Sequence, residues 1–310
     1  MFDTAFWSNK RVLVVGGAGF IGSHTVDLLV KLNADVSVID DFSTSNRTYC
    51  NSHSKLFEID ASSDDLAGVF STVRPNVVMT FASVVDIPAA INNPLLTCKG
   101  ITVTVNTLKN SVKYNVEKVL YASSGFIYGN TNIMPISEDQ PTKPLNPYNI
   151  AKATGEHYLS FFNHHYNLPC IALRYAPTYG PRRTIGPIND YIRSILKGTR
   201  SEIYGQKTRD YIYVEDVVSA NILAIEKSTS NYNVFNIGTG IEIELDKIYI
   251  MITQLLDSSD NKPIYCPGKS NEVERFVLNV SKAKKELGFQ SNISMEAGLQ
   301  KTINWMKKYE

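Results

Sequence analysis

Tyr148 and Lys152 stand one helical turn apart, twenty-four residues after Ser124, in a chain that carries Gly16, Gly19 and Gly22 between an apolar run and a helical pattern. The tyrosine is the residue on which the chemistry turns. A free phenol has a pKa of about 10, so near neutrality it takes a proton poorly unless positive charge close by favours the phenolate. Lys152, at i+4 on the same helix face, is placed to supply that charge, and an oxidised nicotinamide would add a second. A dinucleotide site and a proton-transfer group sharing one crevice could move a hydride to or from a carbon that bears a hydroxyl.

Spacing alone is weak support. With 17 tyrosines in the chain, roughly one Tyr-x-x-x-Lys arises by chance, and Tyr114 with Lys118 and Tyr265 with Lys269 repeat the pattern. Only Tyr148 follows a strand-like run carrying Ser123 and Ser124 and comes after Pro144 and Pro147, residues that suit the start of a helix. The alternative for Tyr148 is a surface ring beside a solvated lysine.

The nucleotide side rests on Gly16, Gly19 and Gly22, with Phe20 and Ile21 entering the helical pattern. Glycines there permit a tight turn and let backbone amides approach a pyrophosphate at the positive end of a helix. Asp40 ends the second apolar run about 20 residues later, where a carboxylate accepts both ribose hydroxyls and repels a 2′-phosphate. NAD is expected rather than NADP, although Asp40 or Asp41 could also be a turn cap, and Arg47 could meet a 2′-phosphate. Asp60, followed by Ala61, is placed for the adenine edge or for a loop cap. Phe81, Ala82 and Ser83 end the fourth run, where small residues let a dinucleotide lie against the backbone.

The elements that position these groups follow from periodicity. Runs at 12–15, 36–39, 55–59, 77–81, 119–122 and 170–173 alternate with helix-length segments, which predicts βαβ units and a doubly wound parallel sheet in an α/β fold. Beyond Arg174 come Gly- and Pro-rich turns, helices near 188–197, 214–227 and 245–256, and a strand near 234–237. The expected division is a dinucleotide-binding domain over 1–175, rejoined by 212–240, and a smaller α/β substrate lobe over 176–211 and 241–310.

With 310 residues, 43% apolar and 20% charged, a large core is feasible. A formal charge of +1 gives no electrostatic reason to expect nucleic acid or an acidic membrane. Cys50, Cys98, Cys170 and Cys266 show neither zinc nor redox spacing, and His164 beside His165 lacks accompanying carboxylates, so no metal is expected. No apolar stretch approaches the roughly 20 residues of a membrane span, and a soluble, cytoplasmic protein is expected.

Taken together, several segments resemble the extended short-chain dehydrogenase/reductase family, specifically its nucleotide-sugar epimerases and dehydratases of the UDP-galactose 4-epimerase type. They are Gly16 to Gly22, Ser123-Ser124-Gly125 through Tyr128-Gly129, Tyr148 to Lys152, Arg174-Tyr175 with Tyr179 to Arg182, Arg209-Asp210-Tyr211 through Asp216, Asn236-Ile237-Gly238, and Ser281-Lys282-Ala283 before Leu287-Gly288-Phe289. The resemblance implies a Rossmann-type fold, bound NAD and a nucleoside-diphosphate sugar as substrate. It makes Tyr148 the acid/base, has Lys152 hold the nicotinamide ribose and tune the phenol, and sets Ser124 on the reacting sugar oxygen. Arg209 would clamp the diphosphate, unless it pairs instead with Asp210 or Asp216. Pairing of two copies through helices at 95–114 and 148–166 would give a homodimer.

Departures from the family pattern bear on substrate. Dehydratases place Asp-Glu directly after the reactive Ser or Thr; here Gly125 and Phe126 follow Ser124, which disfavours dehydration and glutamate-assisted decarboxylation. Pro177, Thr80 and Gly100 stand where the family often has Asn, His and Asn. The position resembling the sugar-pocket gate is Phe276, too bulky for an N-acetylated hexose, with Arg275 and Lys269 as further phosphate contacts. The resemblance thus implies reversible C4 epimerisation of the UDP-glucose/UDP-galactose type through a 4-keto sugar. A net dehydrogenase or 4-ketoreductase using the same residues, and a non-catalytic dinucleotide-sensing scaffold, are the alternatives.

Overall fold

The structure, a computed structural model, describes residues 2–83, 87–268 and 273–309. The six apolar runs form strands β1 (Arg11–Val15), β2 (Asp35–Asp40), β3 (Lys55–Glu58), β4 (Val77–Thr80), β5 (Lys118–Ser124) and β6 (Cys170–Tyr175). A seventh strand, Tyr232–Ile237, lies beyond β6, and the sheet order runs from it through β6, β5, β4, β1 and β2 to β3. All neighbouring pairs are parallel. The chain winds outward from β1 to β3, then crosses back to set β4 on the other side of β1. That reversal opens a crevice at the carboxyl ends of β1 and β4. This is the expected Rossmann-type α/β architecture.

Helices cover both faces of the sheet, which is why its strands read as unbroken apolar runs rather than alternating ones. Val12 and Val14 face one layer with Val26, Leu29 and Val217. Leu13 and Val15 face the other with Phe70, Val103 and Leu159. A third apolar cluster joins Ile192 of the Pro187–Leu196 helix, Ile248 and Ile252 of the Leu245–Leu255 helix, and Leu299 and Ile303 of the Met295–Tyr309 helix. Around it the strands are short pairs: Thr178–Tyr179 with Ile212–Tyr213, Thr208–Arg209 with Ile243–Glu244, and Glu202–Tyr204 with Ile264–Cys266.

The helix that carries Tyr148 and Lys152 spans Pro147–Tyr166. It starts where it does because the Asn146 side chain accepts from the Asn149 amide at 2.9 Å and Pro147 occupies the first turn, where no amide hydrogen is needed. It ends at Asn167, whose φ of 54° is left-handed and breaks the helical repeat. Its neighbours are β5 and the Leu95–Lys113 helix.

Candidate functional site

At the end of β1 the chain turns at Gly16 with a φ of 77°. A Cβ there would lie 2.6 Å from the Ala82 amide nitrogen, so only glycine lets the ends of β1 and β4 converge. Gly19 caps the Phe20–Lys31 helix without a side-chain bond to its first-turn amides, which leaves them for an anion. These residues, with Gly22, line a crevice of about 570 Å³, within the size range of small-molecule sites. Asp40, Asp41, Asp60, Ala61, Phe81, Ala82 and Ser83 form its walls, and Tyr148 and Lys152 line it too. All residues that the sequence assigns to the dinucleotide therefore meet in one place. The cradle fits a pyrophosphate in a second respect: Arg182 Nη1, in the same crevice, is buried without a hydrogen-bond partner.

The acidic residues behave differently from their sequence reading. Asp40 is expected to accept two ribose hydroxyls, yet its Oδ2 already accepts from the Ala18 amide at 2.9 Å and its Oδ1 from the Phe42 amide at 3.1 Å and Ser45 Oγ at 2.6 Å. It braces the glycine turn against the loop after β2, and any ribose contact would share those oxygens. Asp41 and Asp60 are bridged by Lys99, at 2.7 and 2.9 Å. Burial alone would raise the Asp41 carboxyl, but the donors Lys99 and Ser43 outweigh it and hold the group down to about 2. Arg47 pairs with Glu58 at 2.6 Å and so is not held toward a 2′-phosphate.

At the other end, Ser124 closes β5 and is 7% exposed. Its hydroxyl accepts from the Phe126 amide at 3.2 Å and is hydrogen-bonded to the Tyr148 phenol. Burial pushes the Tyr148 pKa up; the Arg183 guanidinium and the Ser124 hydroxyl oppose that rise. Lys152 lies one turn further along the same helix and lines the same crevice. Its ammonium donates to the Ala122 carbonyl at 2.6 Å and sits 5.9 Å from the Tyr148 ring centre. Burial lowers its pKa to about 7, with Glu156 opposing.

Glu156 continues the same helix face one turn further on. It is 5% exposed, takes a fork from Arg174 with the shortest contact at 2.7 Å, and accepts from Ser123 Oγ at 2.5 Å. This buried pair ties the helix to β5 and β6 directly beneath Lys152.

The expected sugar-nucleotide residues are not gathered at the crevice. Arg209 donates to the carbonyls of Thr208, Val273 and Glu274 at 2.7, 2.6 and 3.0 Å. Neither suggested carboxylate pairs with it: Asp210 accepts from the amides of Thr239, Gly240 and Leu278, and Asp216 from those of Asn292 and Ile293. Arg275 forks onto Glu242 at 2.9 and 2.6 Å. Phe276 is fully buried and packs on Phe126 with ring centres 4.6 Å apart, so it belongs to the core behind Ser124 rather than to an open pocket wall. In each case a local partner satisfies the side chain in place of a ligand. Lys269 lies outside the described residues.

Three residues of the site and its support were not singled out from sequence. Lys99 carried no signal, Arg183 was hidden as the second of two arginines after Pro181, and Glu156 could have been found by extending the Tyr148–Lys152 face one more turn. Among the described residues no group of three or more His, Cys, Asp or Glu is placed to hold a metal ion, and no helix is long and apolar enough to cross a membrane.

Residues 12–238 match the NAD dependent epimerase/dehydratase family. The chain is 34% identical to a UDP-glucose 4-epimerase from Thermotoga maritima solved with UDP-glucose, with a TM-score of 0.92 over 96% of this chain and 98% of that one. It is 29% identical to a UDP-glucose 4-epimerase from Thermus thermophilus solved with NAD, with a TM-score of 0.89 over 97% and 100%. It is also 31% identical to a UDP-N-acetyl-alpha-D-glucosaminuronate decarboxylase from Bacillus cytotoxicus, across 97% of this chain and 99% of that one.

Proposed function

Because the chain belongs to the NAD-dependent epimerase/dehydratase family, we propose that it interconverts nucleoside-diphosphate hexoses at C4, with UDP-glucose and UDP-galactose as the substrate pair. The observation that carries this reading is the hydrogen-bonded Ser124–Tyr148 pair, whose tyrosine lines the same crevice as the glycine turn. NAD, when bound, supplies the acceptor and donor of hydride for the sugar carbon. Tyr148 removes the proton of the 4-hydroxyl as that carbon is oxidised and returns it when the carbon is reduced on its other face. Ser124 hydrogen-bonds the same oxygen and keeps it within reach of the phenol. Lys152 holds the nicotinamide ribose, and the glycine turn with Asp40, Asp41 and Asp60 holds the rest of the dinucleotide. Arg209 and Arg275 remain our candidates for the sugar-nucleotide side, which requires them to exchange their present partners for phosphate, while the buried Phe276 acts only from behind Ser124.

The geometry next to Ser124 argues against the reaction of the decarboxylase relative and against dehydration. Both would need a carboxylate beside the reactive hydroxyl. A Cβ at Gly125 would lie 2.6 Å from the Phe276 ring, so a larger side chain there must displace that ring, against which Phe126 already packs at a tilt. Two further assignments belong to this reading. One is the division into a dinucleotide-binding domain, 1–175 with 212–240, and a sugar-nucleotide lobe, 176–211 with 241–310. The other is a homodimer through the Leu95–Lys113 and Pro147–Tyr166 helices.

Incubating the purified protein and NAD with UDP-, GDP-, CDP- and dTDP-hexoses, followed by separation of the C4 epimers, tests the function. Conversion between UDP-glucose and UDP-galactose without accumulation of reduced cofactor is expected. Reduced cofactor formed in proportion to sugar would replace the reading with a net dehydrogenase, and no change at C4 in any sugar would end it.

A further inference from the structure

Two aromatic rings flank the Lys152 ammonium. Its Nζ lies 5.9 Å from the ring centre of Tyr148 and 5.0 Å from that of Tyr121, and the second ring has no part in the chemistry described above. Tyr121 belongs to β5 and is 3% exposed. Because side chains alternate along a strand, it shares with Ser123 the face that meets the Pro147–Tyr166 helix, where Ser123 reaches Glu156 and Tyr121 lies against Lys152.

The helix is shaped to admit that ring. The Tyr121 hydroxyl donates to the Lys152 carbonyl at 3.4 Å and is hydrogen-bonded to Thr104 on the Leu95–Lys113 helix. Gly155 stands next to it, and a Cβ there would collide with the Tyr121 hydroxyl and its ring carbons. Glycine inside a helix is destabilising, and here the close approach of the phenol requires it.

The ammonium needs such a neighbour. Lys152 is buried, which penalises its charge, and Glu156, the carboxylate that opposes this, is itself forked by Arg174 of β6. One carbonyl, that of Ala122, accepts from Nζ at 2.6 Å. Lys99, which lines the same crevice from the Leu95–Lys113 helix, is taken up by Asp41 and Asp60. The electron-rich face of a ring within about 6 Å attracts a cation, most strongly where both are desolvated. Burial pushes the Tyr121 pKa up, so the phenol stays neutral and offers that face at every working pH.

We propose that Tyr121 is a positioning residue for Lys152, its ring the shelf that favours the charged ammonium and holds it at its place in the crevice. The inference rests on the reading of Lys152 as the residue that tunes Tyr148 and holds the nicotinamide ribose.

The test follows the ammonium itself. In protein isotope-labelled at its lysines, the side-chain resonance missing from Lys152→Met is titrated against pH, without NAD and with it, in the parent, Tyr121→Phe, Tyr121→Met and Tyr121→Leu. Loss of the ring is expected to lower the Lys152 midpoint by about 0.5–1.5 pH units in Tyr121→Met and Tyr121→Leu, either of which suffices. Tyr121→Phe, which keeps the ring and loses the hydroxyl, should stay at the parent value; a packing role alone would not separate it from the ring-less variants in this way. A midpoint unchanged or raised without the ring, or lowered equally in Tyr121→Phe, would overturn the proposal. Retained NAD stoichiometry shows that each variant is folded, and because the titration needs no sugar turnover, its failure is separable from a failure of the epimerase reading.

Discussion

Gly125 and Phe276 lie far apart in sequence but form one steric unit, and replacing Gly125 with Ala tests the reasoning that excludes a carboxylate beside Ser124. The added Cβ would stand 2.6 Å from Phe276 Cζ and 3.3 Å from both Leu278 methyl carbons. Real Cβ contacts do not approach the first of these values, so something must move. Phe276 and Leu278 are both fully buried, and Phe276 is backed by Phe126. The ring therefore has little room to retreat, and the strain falls on the turn between Ser124 and Phe126. Overpacking of this kind costs about 1–3 kcal/mol. If the turn gives way, Ser124 is displaced from Tyr148, and a misplacement near 1 Å lowers turnover by roughly a hundredfold.

The compensating change is Phe276→Leu. Alone it removes buried ring atoms and costs roughly 1–2 kcal/mol, scaled from larger core deletions. Combined with Gly125→Ala it makes space for the new methyl group, so the double variant should be more stable than the sum of the single losses by about 1–2 kcal/mol, in the range seen for contacting residues. Urea unfolding midpoints of the four proteins give this coupling, and C4 epimerisation rates show whether Ser124 returns to place. Additivity within about 0.5 kcal/mol would refute the steric account and reopen the site to a larger residue at position 125.

Two further outcomes follow. Because burial lowers the Lys152 pKa to about 7 from 10.5, the unfolded chain binds more protons than the folded one between those values, so stability rises with pH across that window. The penalty is complete below about pH 7. NAD-free Lys152→Met should lose this slope, so its stability relative to the parent should be greatest near neutrality and fall toward pH 10; parallel profiles of urea midpoint against pH would contradict the assigned burial. The homodimer predicts a light-scattering mass twice that of the 34.6 kDa chain. It would cover Leu95, Ile150 and Phe161, which are 75%, 49% and 50% exposed on the two paired helices. A monomeric mass in the parent, or an unchanged dimer in Phe161→Glu with Ile150→Glu, would count against that interface.

The parts of this molecule that could be read in the sequence are those set by short-range rules. A strand buried on both faces must be apolar throughout, so β1, β2 and β4 announce themselves. Gly16 must be glycine because its φ of 77° and the nearby Ala82 amide admit nothing else. Tyr148 and Lys152 share a face by helical geometry alone, and Pro147 marks where that helix begins. Thus the crevice and its dinucleotide wall follow from patterns within about twenty residues of each other.

The assignment of charge does not follow from such patterns. Lys152 and Arg183 both line the crevice, and helical spacing registers the lysine but not the arginine, which a loop carries. Desolvation is a property of the whole surround: the Lys152 ammonium is enclosed and bound to a carbonyl, and burial lowers the pKa of Lys152 and Arg183 alike. The same holds for Arg209, Arg275 and Asp40, whose partners are backbone carbonyls, Glu242 and the amide of Ala18. Long polar side chains have several reachable partners, and the tertiary fold chooses among them. A motif therefore locates the phenol by helical geometry, while the partners of the charged side chains around it are set by the fold as a whole.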